Sequence, residues 1–174
     1  NTDNVISPEF KLPGSKVVLV RPSRGEGLVP NAESLKRVFR QVETLIAQKK
    51  VLAAYTPGFG GIAEALCKMS LGNRLGFKAA PSVTKELLFG YEYGSFVLEL
   101  AEDLDIGETL GETTLAYAFE ACGERVELDG VQTVYEEKLE PVLPYHTTAE
   151  ADAARPVEAL NFGAGTRVSP RGGW

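Results

Sequence analysis

Ala53-Ala54-Tyr55-Thr56-Pro57-Gly58-Phe59-Gly60-Gly61-Ile62-Ala63-Glu64-Ala65-Leu66 reads as a strand that ends in a glycine-rich turn and passes straight into a helix. Val51 to Ala54 is a short apolar run of the length a buried strand needs. Pro57 ends strand pairing, because it has no N–H and its φ is fixed. Gly58, Gly60 and Gly61 allow positive φ and close backbone approach. The helix that follows turns its positive end and its unpaired N–H groups toward the same turn, an arrangement suited to phosphate. The motif is neither a Walker A loop nor a dinucleotide fingerprint. A second reading therefore stands beside the first: a tight turn that only lets the helix pack on its own sheet.

Outward from this unit, Lys16 to Arg21 is a β-branched strand, entered through Pro13-Gly14 and left through Pro22. Asn31 is placed to cap a helix, with Glu33 in its first turn. Leu35, Val38, Phe39, Val42, Leu45 and Ile46 then recur at helical spacing, to about Gln48. Val51 to Thr56 is the next strand and Ile62 to Leu71 the next helix, with Ile62, Leu66 and Met69 on one face. Glu64 and Lys68 form an i,i+4 pair worth about 0.3 kcal/mol. Gly72 to Gly76 reads as a loop. Ser82 to Phe89 is either a short helix capped by Ser82 or an irregular connection. Ser95 to Leu100, Glu112 to Ala118 and Arg125 to Leu128 read as strands, with Gly123 as a bend. Gln132 to Glu140 reads as a short helix that stops before Pro141. Strands and helices interleave irregularly, which predicts an α+β domain with a mixed sheet covered by helices.

At 174 residues and 44% hydrophobic content, the chain can bury one real core. The expected organisation is one domain over 1–145 and a linker-like tail over 146–174, rich in Thr, Ala, Glu, Gly and Arg. A net charge of −6 argues against nucleic acid or an anionic membrane surface as partner. No run approaches the ~18 apolar residues of a membrane span, and no leader-like segment is visible. Cys67 and Cys122 form no CxxC motif and no His-rich cluster accompanies them, so the expected setting is a reducing, cytoplasmic one without structural zinc. Beginning at Asn1 and ending in Arg171-Gly172-Gly173-Trp174, the chain reads as a portion of a longer polypeptide.

Other chemistry-bearing residues give weaker patterns. His146 is the single histidine and falls in the linker-like stretch, so neither a His-based metal cluster nor a triad is expected. Arg21 and Arg24 straddle Pro22, where they either reach a phosphate or stand in solvent. Glu102, Asp103 and Asp105 form an acidic cluster whose ordinary reading is a solvated charge run rather than a magnesium site. Tyr91 and Tyr93 flank Glu92 and are expected to pack on a neighbouring domain or line a cleft. No catalytic residue and no metal ligand is assigned.

The helix Leu35–Gln48, the strand Val51–Thr56, the turn Gly60-Gly61-Ile62 and the helix start Ala63-Glu64-Ala65-Leu66 together resemble the C-terminal domain of the aminoimidazole ribonucleotide synthase superfamily. Gly76-Phe77, Leu88-Phe89, Gly94-Ser95-Phe96-Val97 and the Ile106-Gly107 or Leu110-Gly111 pair extend the resemblance over about 10–144. Within the superfamily the chain is most similar to phosphoribosylformylglycinamidine synthases, ATP- and glutamine-dependent ligases of purine synthesis. The resemblance implies that Tyr55, Thr56, Gly58, Gly60 and Gly61 contact ATP or ADP, with Mg2+ present in the whole enzyme. It implies as partners an N-terminal-type synthase domain and a glutaminase domain, and it implies that the isolated chain is inactive. Many members carry His-Asp where this chain has Tyr55 and Thr56, so a metal-side or acid–base role at that point is not expected here. Which half of a full-length synthase the domain corresponds to stays open. A purely structural module, or half of a related thiamine-phosphate or selenophosphate type kinase, is the alternative.

Overall fold

A computed structural model of the chain describes residues 4–138 and 140–142. The chain separates into two units, Asn1–Tyr135 and Glu136–Trp174. The second contributes to this description only the end of the last helix and a turn in which the Glu140 N–H donates to the Glu137 carbonyl at 3.2 Å. The expected boundary at 145/146, the tail after it and His146 lie outside the described residues.

The first unit is built on a seven-stranded sheet in the order β2-β4-β1-β5-β3-β6-β7. Its strands are β1 (Lys16–Val20), β2 (Val51–Tyr55), β3 (Gly76–Ala79), β4 (Phe96–Leu100), β5 (Glu108–Thr114), β6 (Ala118–Ala121) and β7 (Glu124–Glu127). Neighbours are antiparallel except β3 and β6, which run parallel. With α1 (Ala32–Ala47), α2 (Gly61–Leu71), α3 (Lys85–Phe89) and α4 (Leu128–Glu137), this is the α+β fold with a mixed sheet that the sequence predicts.

Alternation along β1 explains how both faces are filled. Val17 and Leu19 point to the face of α2, where Ile62, Leu66 and Met69 meet Ala53, Val97, Leu110 and Phe77. Val18 and Val20 point the other way, to Val38, Val42 and Leu45 of α1. Each such side chain, fully removed from water, contributes about 1.5–3 kcal/mol. The Asn31 side chain accepts from the Ser34 N–H at 3.0 Å and so starts α1 as expected. Phe39, counted on the apolar face, is largely exposed and sets its ring edge-on to Phe96 at 5.0 Å.

Several elements differ from the sequence reading. Gly76 to Ala79 is a strand and not part of a loop; a Cβ at Gly76 would stand 1.8 Å from the Ala116 carbonyl, so the glycine permits a close backbone crossing. The Thr84 side chain, rather than Ser82, caps α3 by accepting from the Leu87 N–H at 3.3 Å. β5 begins at Glu108, before the expected start at Glu112, and the chain turns at Leu115 to Tyr117 before β6. The hairpin between β6 and β7 closes on Cys122 and Gly123, both at positive φ (54° and 78°), the geometry of a two-residue turn. α4 begins at Leu128, its one buried residue, while Val134 and Tyr135 are exposed. The expected register therefore put the buried face one turn too late. Among the described residues no helix is long and apolar enough to cross a membrane.

Candidate functional site

β2 delivers Tyr55 to the end of the sheet, and Pro57 is buried directly beyond it. The turn closes through the Gly61 N–H, which donates to the Gly58 carbonyl at 3.2 Å. Of the three glycines only Gly61 uses positive φ (68°). A Cβ there would lie 2.6 Å from the Leu88 carbonyl and 2.9 Å from that of Gly90, so Gly61 lets the start of α2 lie against the end of α3. Gly60 occupies the N-cap position of α2 at an ordinary φ, with no capping side chain of its own.

The cap comes instead from one turn downstream. The Glu64 carboxylate accepts from the Gly60 N–H at 2.7 Å and from the Lys68 ammonium at 2.6 Å. Lys68, then the Gly60 N–H, hold the Glu64 carboxyl below its usual range. Lys68 is raised, first by the same bond and in smaller part by the nearby Tyr55 hydroxyl. The helix start is thus already matched to an anion, its own, and a phosphate at Gly60 has to turn Glu64 aside. Thr56 and Phe59 are exposed and Gly58 half-exposed, so the outer lip of the turn is open to solvent.

Arg21 and Arg24 neither stand free in solvent nor open toward an anion. Both reach Glu92, at 3.3 and 2.8 Å. Arg21 also pairs with Glu108, and Arg24 donates to the Tyr91 carbonyl. The Ser95 hydroxyl completes the shell of Glu92 at 2.9 Å. This buried carboxylate ties the loop after β1 to the loop before β4, beside the glycine turn. A second buried carboxylate, Glu99 in β4, accepts from the Lys11 and Leu12 N–H groups at 2.8 and 3.0 Å. It pins the segment that seats Phe10 against Phe77, ring centroids 6.3 Å apart. Apart from Ser95, three residues from Glu92, the partners are distant along the chain and give no local sequence signal; the Gly60-to-Glu64 spacing at a helix start did offer one.

Within the acidic loop Glu102 pairs with Lys50 at 3.2 Å and Asp103 with Lys16 at 2.7 Å. Among the described residues no three His, Cys, Asp or Glu side chains are grouped to hold a metal ion. Among the described residues, Mg2+ therefore finds no cage of three such ligands. Burial pushes the Cys67 thiol up to about 11, away from nucleophilic reactivity. Cys122 is exposed, its Sγ 3.5 Å from the Val83 carbonyl. A cleft of about 930 Å³ includes Ser15, Lys16, Lys78 and Glu112. It lies at the Leu100 end of β4, opposite the end where Tyr55 meets Val97.

No protein-family model matches the chain. Solved structures do. Phosphoribosylformylglycinamidine synthase II from Thermotoga maritima superposes with a TM-score of 0.62 at 14% identity, over 73% of this chain and 27% of that one. Thermotoga maritima PurL complexed with AMPPCP gives 0.61 at 15% identity, with 73% and 27% covered. The same protein complexed with FGAR gives 0.61 at 13%, with 74% and 29% covered. At these identities the likeness is one of fold, and this chain spans little more than a quarter of the length of those proteins.

Proposed function

We propose that this chain is a domain of a phosphoribosylformylglycinamidine synthase-type ligase, working in a cytoplasmic setting. The observation that carries the reading is the coincidence of two independent likenesses. The fold matches synthase II structures, and the strand–glycine turn–helix wording of 51–66 occurs within that fold. In this reading Tyr55, Thr56, Gly58, Gly60 and Gly61 form one wall of an ATP or ADP site, with Glu64 swinging onto Lys68 alone when phosphate arrives. The charged groups that hold Mg2+, and the cysteine nucleophile that frees ammonia from glutamine, come from an N-terminal-type synthase domain and a glutaminase domain. The chain by itself has no ligase activity.

One observation favours a second reading, a scaffold domain that does not touch nucleotide. The Gly60 and Gly61 N–H groups already have acceptors inside the chain, and Gly61 is explained by packing alone.

Calorimetric titration with Mg-ADP and Mg-ATP separates the two. Gly58→Val is the suitable comparison, because a Cβ at Gly58 meets only the Glu64 carboxylate, at 3.6 Å. Saturable binding that this substitution weakens supports the nucleotide wall. A folded chain that ignores millimolar nucleotide belongs to the scaffold reading. Turnover of ATP with glutamine by this chain alone would overturn the expected inactivity.

A further inference from the structure

The Glu64 carboxylate lies across the mouth of the glycine turn. One oxygen accepts from the Gly60 N–H at 2.7 Å and the other from the Lys68 ammonium at 2.6 Å. The oxygen that meets Gly60 also stands 3.6 Å from the place of a Cβ on Gly58, so it covers the turn from one glycine to the other. A helix start with unpaired N–H groups is a seat for a negative group, and here the seat holds one that belongs to the chain. That group is ionised where it sits, since Lys68 first and the Gly60 N–H next hold its carboxyl below the usual range. It is also free to leave. The Glu64 side chain is 34% exposed and that of Lys68 30%, so neither charge is stranded away from water when the bond to Gly60 is given up. Lys68 stands one turn further along α2 and reaches the carboxylate from the side farther from the glycines.

Resting on the nucleotide reading of the turn, we propose that Glu64 sets the affinity of this site by competing with phosphate for the helix start, and that Lys68 is the positioning residue that draws the carboxylate aside. Two anions do not share one N–H seat, because like charges set against each other weaken binding steeply. Phosphate therefore binds only the fraction of chains in which Glu64 has turned away, and its apparent affinity is reduced by that fraction. Lys68 enlarges the fraction. A carboxylate that gives up the Gly60 N–H still keeps a cation, and its charge is compensated as phosphate comes in. Without Lys68, the helix start is the only one of these two partners left to Glu64, and an uncompensated carboxylate faces the incoming phosphate. The nucleotide-free chain thus keeps α2 capped, and the cap is released only to a stronger anion.

The test is calorimetric titration of the full 174-residue chain with Mg-ADP, for the parent, Glu64→Gln, Lys68→Met and the double variant. Glu64→Gln keeps a side-chain carbonyl to accept from Gly60 and removes the charge. It is expected to tighten Mg-ADP by about 10-fold or more, a gain that a damaged fold does not produce. Lys68→Met is expected to weaken binding by about 10-fold in the parent and by about threefold or less in the Glu64→Gln background, because Lys68 acts through Glu64. Unaltered circular dichroism spectra show that the variants are folded. Saturable binding by the parent that Glu64→Gln leaves unchanged or weakens overturns the competition and leaves the nucleotide reading in place. A Lys68→Met loss that persists in full beside Glu64→Gln assigns Lys68 to the phosphate itself and overturns its positioning role. If neither the parent nor Glu64→Gln takes up millimolar nucleotide, the nucleotide reading falls and the competition with it.

Discussion

Glu92 and Arg24 form a nearly buried ion pair: their charged groups meet at 2.8 Å, with 10% and 17% of the side chains exposed. Arg21 shares the same carboxylate and pairs with Glu108 as well, while Arg24 pairs with Glu92. Removing one partner of a buried pair costs more than the pair itself supplies, because the remaining charge is left without compensation. Glu92→Ala is expected to destabilise the fold by about 2–3 kcal/mol, below the ~3–5 kcal/mol of a fully buried pair because Arg21 keeps some solvent. Urea denaturation measures this. A loss under ~0.5 kcal/mol, the usual range for a surface substitution, would show that water replaces the carboxylate at no cost.

The two glycines of the turn should separate cleanly. Gly61→Ala forces a Cβ against the Leu88 carbonyl at a positive φ and should cost about 2 kcal/mol or more, since backbone strain alone is ~1–3 kcal/mol. Gly58→Ala meets no such obstacle and should stay within ~0.5 kcal/mol of the parent. Thermal unfolding of the two variants side by side checks the contrast.

Glu99 and Glu9 give the pH dependence opposite signs. Burial raises the Glu99 carboxyl in the folded chain, though the Leu12 and Lys11 N–H groups pull the other way. Its stabilising contribution is full below the ordinary carboxylate pKa and is lost as pH rises through the raised value. Glu9 is lowered to about 2, first by its bond with Lys11 and next by Ser7. What it contributes is present above the ordinary value and is lost as pH falls toward 2. Relative to Glu99→Gln, the parent chain should therefore be more stable at pH 4.5 than at pH 7.5. Urea midpoints for the two proteins across that range test the sign, and a difference that grows toward alkaline pH would contradict it.

The cysteines should react unequally. At pH 8 an aromatic disulfide reagent is expected to titrate one thiol promptly, Cys122, whose side chain is exposed. Cys67, its thiol raised to about 11 by burial, should respond only on unfolding. Prompt reaction of two equivalents would mean that α2 opens readily.

Elements whose determinants are local were legible in the sequence. Asn31 with its helix, the strand–turn–helix of 51–71 and the Glu64–Lys68 pair all show in a window of a few residues. β3 was hidden, because Phe77 is its only buried large apolar side chain and Gly76 at its head reads as a breaker. It is a strand only because β5 and β6 bracket it. β5 was cut short for the same reason, since Leu110 is its one buried aliphatic among Glu, Thr and Gly. At the candidate site, the backbone of the glycine turn was legible. What fills it was not, because Glu64 was assigned to Lys68 alone. The fates of Arg21 and Arg24 depend on Glu92, some 70 residues away, a partner that no spacing rule selects.

The strand order has a consequence for how the chain is made. β1 is flanked by β4 and β5, and β2 pairs only with β4. A nascent chain that has emerged only as far as α3 holds its first two strands with nothing to pair against. The apolar surfaces of α1 and α2 wait with them until Phe96 to Thr114 leaves the ribosome. Order in this fold therefore arrives late and all at once, and a truncation before β4 should yield no stable core.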